Sequence, residues 1–176
     1  VGGGAWSILS GGMAEKPLQA GDVTLQSSGP ITLAGGVLLR GKSGGAFVVN
    51  DGSGGRAGDV SINETAIDKS GVAAVGWSNT GADGGSIDVL ALSMTVDGDL
   101  DTGQSGYVAR SGKLDVDVLN ELLVTGVVTA VPAYSGGRTS PGEINLAGNC
   151  IKIEGVNGDG ESVTTDVPGS VNSASE

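Results

Sequence analysis

Between Gly84 and Gly106 the chain reads GGSIDVLALSMTVDGDLDTGQSG, with apolar residues at alternate positions: Ile87 and Val89, then Met94 and Val96, then Leu100. A period of two belongs to an extended strand with one face toward a core and the other toward water. On that pattern Val96 faces inward and Asp97 outward. The same design recurs along the chain. A glycine followed by an apolar–x–apolar pair occurs as GDVTL at Gly21, GDVSI at Gly58, GSIDV at Gly85, GKLDV at Gly112 and GEINL at Gly142. Each is followed by a second apolar unit ending in glycine: ITLAG at Gly35, IDKSG at Gly71, MTVDG at Gly98, LLVTG at Gly126 and IKIEG at Gly155. The two units start seven or eight residues apart in every case.

The repeats begin 37, 27, 27 and 30 residues apart, a spacing typical of stacked repeat architectures. Glycine interrupts every stretch that might hold a 3.6-residue period, so helix is disfavoured throughout. The pattern predicts an all-β fold, a right-handed parallel β-helix built as a single-stranded solenoid of about five coils of 27–37 residues. Val23, Val60, Ile87, Leu114 and Ile144 are then expected one above another, at about 4.8 Å per coil. Residues 1–20 read as a partial preceding coil, 21–157 as the coils, and 158–176 as a flexible tail or linker. The run RGKSGGAFVVNDGSGGRA reads as an insertion in the first coil, with AFVVN as an extra strand.

Composition narrows the function classes. The 176 residues include 34 glycines and few aromatics, so the core is built from Val, Ile, Leu and Ala. The net charge of −11 makes nucleic acid and anionic membrane poor partners. No run of eighteen apolar residues is present, so no helical membrane span is expected. Cys150 stands alone, which excludes an intrachain disulfide; it reads as a small buried thiol. Histidine is absent, which removes the Ser–His–Asp and Cys–His arrangements and the commonest general base. The glycine runs lack the phosphate-binding spacing and read as corner turns.

Carboxylates form the one constellation with chemistry to offer. Asp97, Asp99 and Asp101 alternate along VDGDLDTG, with Asp88 and Asp115 at equivalent outward positions in neighbouring repeats. Stacked like charges are unfavourable unless screened or bridged, and Ca²⁺, which takes six to eight oxygen ligands, would bridge them. The stretch opens like an EF-hand loop, but Gly103 comes one position late and Val108 replaces the bidentate glutamate. A weak Ca²⁺ site at Asp97, Asp99 and Asp101, with Asp88 or Asp115 assisting, is the metal expectation; the bland alternative is a solvated acidic face. No other cofactor is expected. A rival reading makes the acidic patch the centre of a lyase or hydrolase acting on acidic polysaccharide, with Arg110, Lys113 or Arg138 supplying base or cation; such sites need two carboxyls at fixed separation beside a sugar cleft. Asn63 opens an N-glycosylation tripeptide, NET.

In GDVTLQSSGPITLAGG, GGSIDVLALSMTVDGDLDTGQSG and GEINLAGNCIKIEG the chain resembles the repeat region of filamentous-haemagglutinin-like exoproteins of two-partner secretion, or of other large secreted β-solenoid surface proteins. The secretion-domain tetrapeptides of that family, NPNL and NPNG, are absent. The resemblance implies a non-catalytic extracellular or cell-surface protein, a structural shaft or adhesive segment, and it carries over no functional residues. The expected partners are same-type coils or subunits stacked end to end, with a surface glycan or cell-surface protein as a further partner.

Overall fold

Glycine at nearly every corner cuts the chain into short extended pieces, and the computed structural model describes residues 8–10, 20–63, 71–77, 82–105, 108–130, 138–140, 142–156 and 162–173. No helix occurs among them. The first strands are β1 (Ile8–Ser10), β2 (Val23–Gln26), β3 (Ile31–Ala34) and β4 (Val37–Gly41). A second layer of chain gives β5 (Ala46–Asn50), β6 (Ala57–Asn63), β7 (Val72–Trp77) and β8 (Ala82–Asp83). The third gives β9 (Ser86–Val96), β10 (Leu100–Asp101), β11 (Gln104–Ser105) and β12 (Val108–Arg110). The fourth gives β13 (Lys113–Val118), β14 (Glu121–Val124), β15 (Val128–Thr129) and β16 (Arg138–Ser140). Two long strands, β17 (Glu143–Val156) and β18 (Ser162–Ser173), complete the set.

The expected right-handed, single-stranded solenoid of about five coils is not what these strands make. The chain is all-β, but its short strands are divided among separate sheets of six, three and nine strands. The largest ends in an antiparallel pair, β17 with β18. The physical reason is local. Corner glycines end each period-two run after a few residues, so one repeat sends its pieces to different sheets. Two of the corners, Gly71 and Gly98, have φ of 63° and 126°, a backbone that side-chain-bearing residues rarely adopt.

Parallel pairing dominates the largest sheet and sets two inward columns. Val23, Phe47, Ile87, Leu114 and Ile144 are successive Cα partners, and so are Ile31, Val60, Met94, Leu122 and Ile151. In the six-stranded sheet Val37, Val72, Leu100 and Val128 form a third. The expected column through Val60 is therefore corrected. GDVSI matches GDVTL in letters but pairs with ITLA and SMTV, while AFVVN is no insertion and fills the vacant place beside Val23. The unit read at Ile67 lies outside the described residues.

Phe47, Ile87, Leu114, Val60, Met94, Leu122 and Ile151 are all buried, and Val96 is buried beside half-exposed Asp97, as the alternation requires. Each fully buried side chain of this size contributes about 1.5–3 kcal/mol, so the columns are the source of stability. Toward the first strands the core opens: Val23, Leu25, Ile31 and Leu33 are only partly buried. The segment Ser162–Ser173, read from composition as linker, is strand β18, which pairs with β17 from Ile144 to Val156 with one break between Gly148 and Ile151. Its small neutral residues hide the alternation, and pairing supplies the order that apolar content does not.

A stack of glycines explains how the layers approach. A Cβ placed on Gly45 would fall on the carbonyl oxygen of Gly21, one on Gly85 on that of Gly45, one on Gly112 on that of Gly85, and one on Gly142 on that of Gly112. None of Gly45, Gly85, Gly112 and Gly142 has a positive φ, so close approach of backbones, and not conformation, demands glycine there.

Candidate functional site

The acidic residues do not converge. Asp88 and Asp115 are Cα partners on β9 and β13, as the repeat predicts, and Asn145 continues the position on β17. Lys113 places Nζ 2.9 Å from Asp115 Oδ2 and is itself held above its ordinary value, chiefly by the hydrogen bond and charge of Asp115. The stacked pair thus carries its own cation. Asp97 and Asp99 lie in the turn between β9 and β10, and Asp101 on β10. Among the described residues no group of three or more Asp, Glu or Cys is placed to hold a metal ion. Asp97, Asp99 and Asp101, the calcium candidates, form no such group.

What two of those side chains do is visible. The Val127 amide donates to Asp99 Oδ1 at 2.7 Å, and the Gly103 amide to Asp101 Oδ1 at 2.7 Å. Burial pushes the Asp101 carboxyl above the usual carboxylate value; the Gly103 hydrogen bond opposes this and the charge of Asp99 adds to it. Asp99 belongs to a recurring device. The Ala46 amide donates to Asp22 Oδ1 at 2.8 Å, and the Arg110 amide to Asp83 Oδ1 at 3.3 Å. In all three cases a carboxylate of one layer holds a backbone amide of the next. Acceptance by an ionised group makes these bonds stronger than neutral ones.

The loop Asp51–Arg56, read from sequence as a corner turn, carries a cation with several partners. Asp51 Oδ1 accepts from the amides of Ser53 and Gly55 at 2.7 and 2.8 Å, and the Ser53 hydroxyl also binds the carboxylate. Those bonds hold the Asp51 carboxyl below its ordinary value. Arg56 leaves this loop and crosses the third layer. Its Nη1 donates to the carbonyls of Ala91 and Asp117 at 3.2 and 2.7 Å, and Nη2 to both carboxylate oxygens of Asp117 at 2.9 Å. Sequence reasoning passed over Arg56 because its partner is 61 positions away.

The enzymatic alternative named Arg110, Lys113 and Arg138. Arg110 and Arg138 lie on the three-stranded sheet, where Ser140 pairs with Arg110 and Val108 with Arg138. Lys113 is on the nine-stranded sheet and engaged with Asp115. Cys150, expected as a buried thiol, is exposed instead. It lies in the register break of β17 between Gly148 and Ile151, where the extra residues interrupt the inward alternation. Asn63 ends β6, and its carbonyl accepts from the Gly35 amide at 2.9 Å.

No family model, no curated protein and no solved structure matches the chain.

Proposed function

We propose that the protein is a non-catalytic structural or adhesive element of an extracellular surface. The observation that carries this reading is the employment of its acidic side chains. Asp22, Asp83 and Asp99 each fix a backbone amide of the adjoining layer, and Asp117 fixes Arg56. Carboxylates committed to holding strands together serve rigidity. The resemblance of the repeats to large secreted surface proteins supports the same reading, with a surface glycan or cell-surface protein as binding partner.

The test has two arms. The chain is incubated with acidic polysaccharides, and new reducing ends or unsaturated products are measured; none are expected. Producing cells are treated with an external protease, and loss of the intact chain is expected while cytoplasmic markers survive. Polysaccharide cleavage, or full protection inside intact cells, refutes the reading.

A further inference from the structure

The nine-stranded sheet has unlike ends. At one, β18 lies antiparallel along β17. At the other, β2 pairs only with β5 and β3 only with β6 among the described residues. By alternation along a parallel ladder, a strand residue directs both its N–H and its C=O to one side. The Ser27 amide donates to the Asn50 carbonyl, and the Gly35 amide to that of Asn63. Stepping back by two from each, Leu25 and Leu33 face their partners, while Thr24, Gln26 and Thr32 turn their backbone groups to the side that no described strand occupies. Free strand edges are usually protected by charge, particularly lysine. Here residues 23–34 contain no charged residue and β18 only Asp166, in a chain of net charge −11.

We propose that a second copy of this chain occupies the edge of β2 and β3 that no described strand covers, through its own β18, so that copies join head to tail. This deepens the structural reading above and rests on it. Direction agrees: β2 and β3 run parallel to the ladder that β18 opposes, so the new pair is antiparallel. Length agrees as well, since Val23–Ala34 and Ser162–Ser173 each span twelve residues. Register agrees too. Leu25 belongs to the column that reaches Leu146, whose partner on β18 is Val171; Ile31 belongs to the column that reaches Ile151, whose partner is Val167. Joining therefore sets Leu25 opposite Val171 of the next copy and Ile31 opposite Val167. Pro168, which has no amide to give, falls at the register break of β18, between the paired positions Val167 and Gly169. Because the two surfaces differ, the contact is heterologous and continues beyond a dimer.

The experiment is sedimentation velocity of the full chain over a wide concentration range, beside Thr24→Pro and Thr32→Pro. Each substitution removes a donor on the free side only, so it blocks the joint without breaking the bonds to β5 or β6. The native chain is expected to form an open series of species. Each variant is expected to keep the native melting midpoint and far-UV circular dichroism while its association midpoint rises by at least about tenfold. A monomer at every concentration, assembly that stops at a dimer, or variants that associate like the native chain would overturn the proposal. So would a fall in the variants' monomer stability, which would mean that the chain covers its own edge. None of these outcomes touches polysaccharide cleavage or surface exposure, so the structural reading and the joint fail separately.

Discussion

Replacing Gly112 with alanine tests the close approach of the layers. The added methyl would fall on the Gly85 carbonyl oxygen and stand 2.8 Å from its carbonyl carbon and 2.9 Å from that of Gly84. Relief requires the two layers to part by about 1 Å, a large fraction of what a strand spacing of about 4.8 Å tolerates. Two hydrogen bonds sit at that point: the Gly112 amide to Thr102 O at 2.7 Å and the Lys113 amide to Gly85 O at 3.1 Å. Weakening both costs about 2–6 kcal/mol, since unpaired backbone groups cost about 1–3 kcal/mol each. Stiffening the unfolded chain returns about 0.4–1 kcal/mol. The net loss is about 1–5 kcal/mol, or about 2–20 °C in melting midpoint for a chain of this size. Gly29→Ala is the matched control, because Ser27 Oγ at 3.7 Å is the nearest atom and no positive φ is involved. Thermal and urea unfolding followed by circular dichroism should separate the two variants clearly. Equal stability of Gly112→Ala and Gly29→Ala would refute the argument that backbone contact selects these glycines.

Other changes probe the polar interior. Thr102 is fully buried with its hydroxyl unpartnered among the described residues, so Thr102→Val, nearly the same shape, should raise stability by about 1 kcal/mol in urea unfolding. Asp101 binds its proton more tightly in the folded chain than the ordinary value of 3.8, so stability falls as pH rises from there through the folded value. Asp101→Asn keeps the acceptor for Gly103; it should exceed the native chain in midpoint at neutral pH, with the difference closing below 3.8. Arg56→Met should lower stability by about 1–2 kcal/mol, more than a simple surface pair would, because two carbonyls lose their donor along with Asp117. Adding Asp117→Ala to that variant should cost little more if the two act as one unit.

The alternation from Ile87 to Val96 and the corner glycines were legible because period two and glycine punctuation are local properties. Pairing is not local. GDVSI and GDVTL both fit glycine, any residue, then apolar–x–apolar, which drew Val60 into the wrong column. The same key also fits GAFVV at Gly45, and only the contacts of the folded chain choose between the two: Gly45 stacks between Gly21 and Gly85, whereas Gly58 meets Gly29 and Pro30. Strand β18 escaped notice because Ser, Thr and Asn carry no strong alternation, and its order comes from β17. Among the polar residues, outward placement of Asp88 and Asp115 was readable, whereas the use of Asp22, Asp83 and Asp99 was not. Each reaches a partner 24 to 28 positions away, which only the register reveals.

Arg56 alters how the stack should come apart. Layers that touch only their neighbours unfold like a row of coupled units, with fraying at an end that need not spread inward. Arg56 starts in the second layer, touches Ala91 in the third and grips Asp117 in the fourth. It is a second-neighbour coupling, and it lengthens the distance over which one layer senses another. Opening the fourth layer takes the carbonyl and carboxylate of Asp117 from the Arg56 guanidinium, which is left with the Ala91 carbonyl of the third. The central layers are thereby bound into a single cooperative block, and hydrogen exchange should show them opening together, with the outer strands exchanging earlier and on their own.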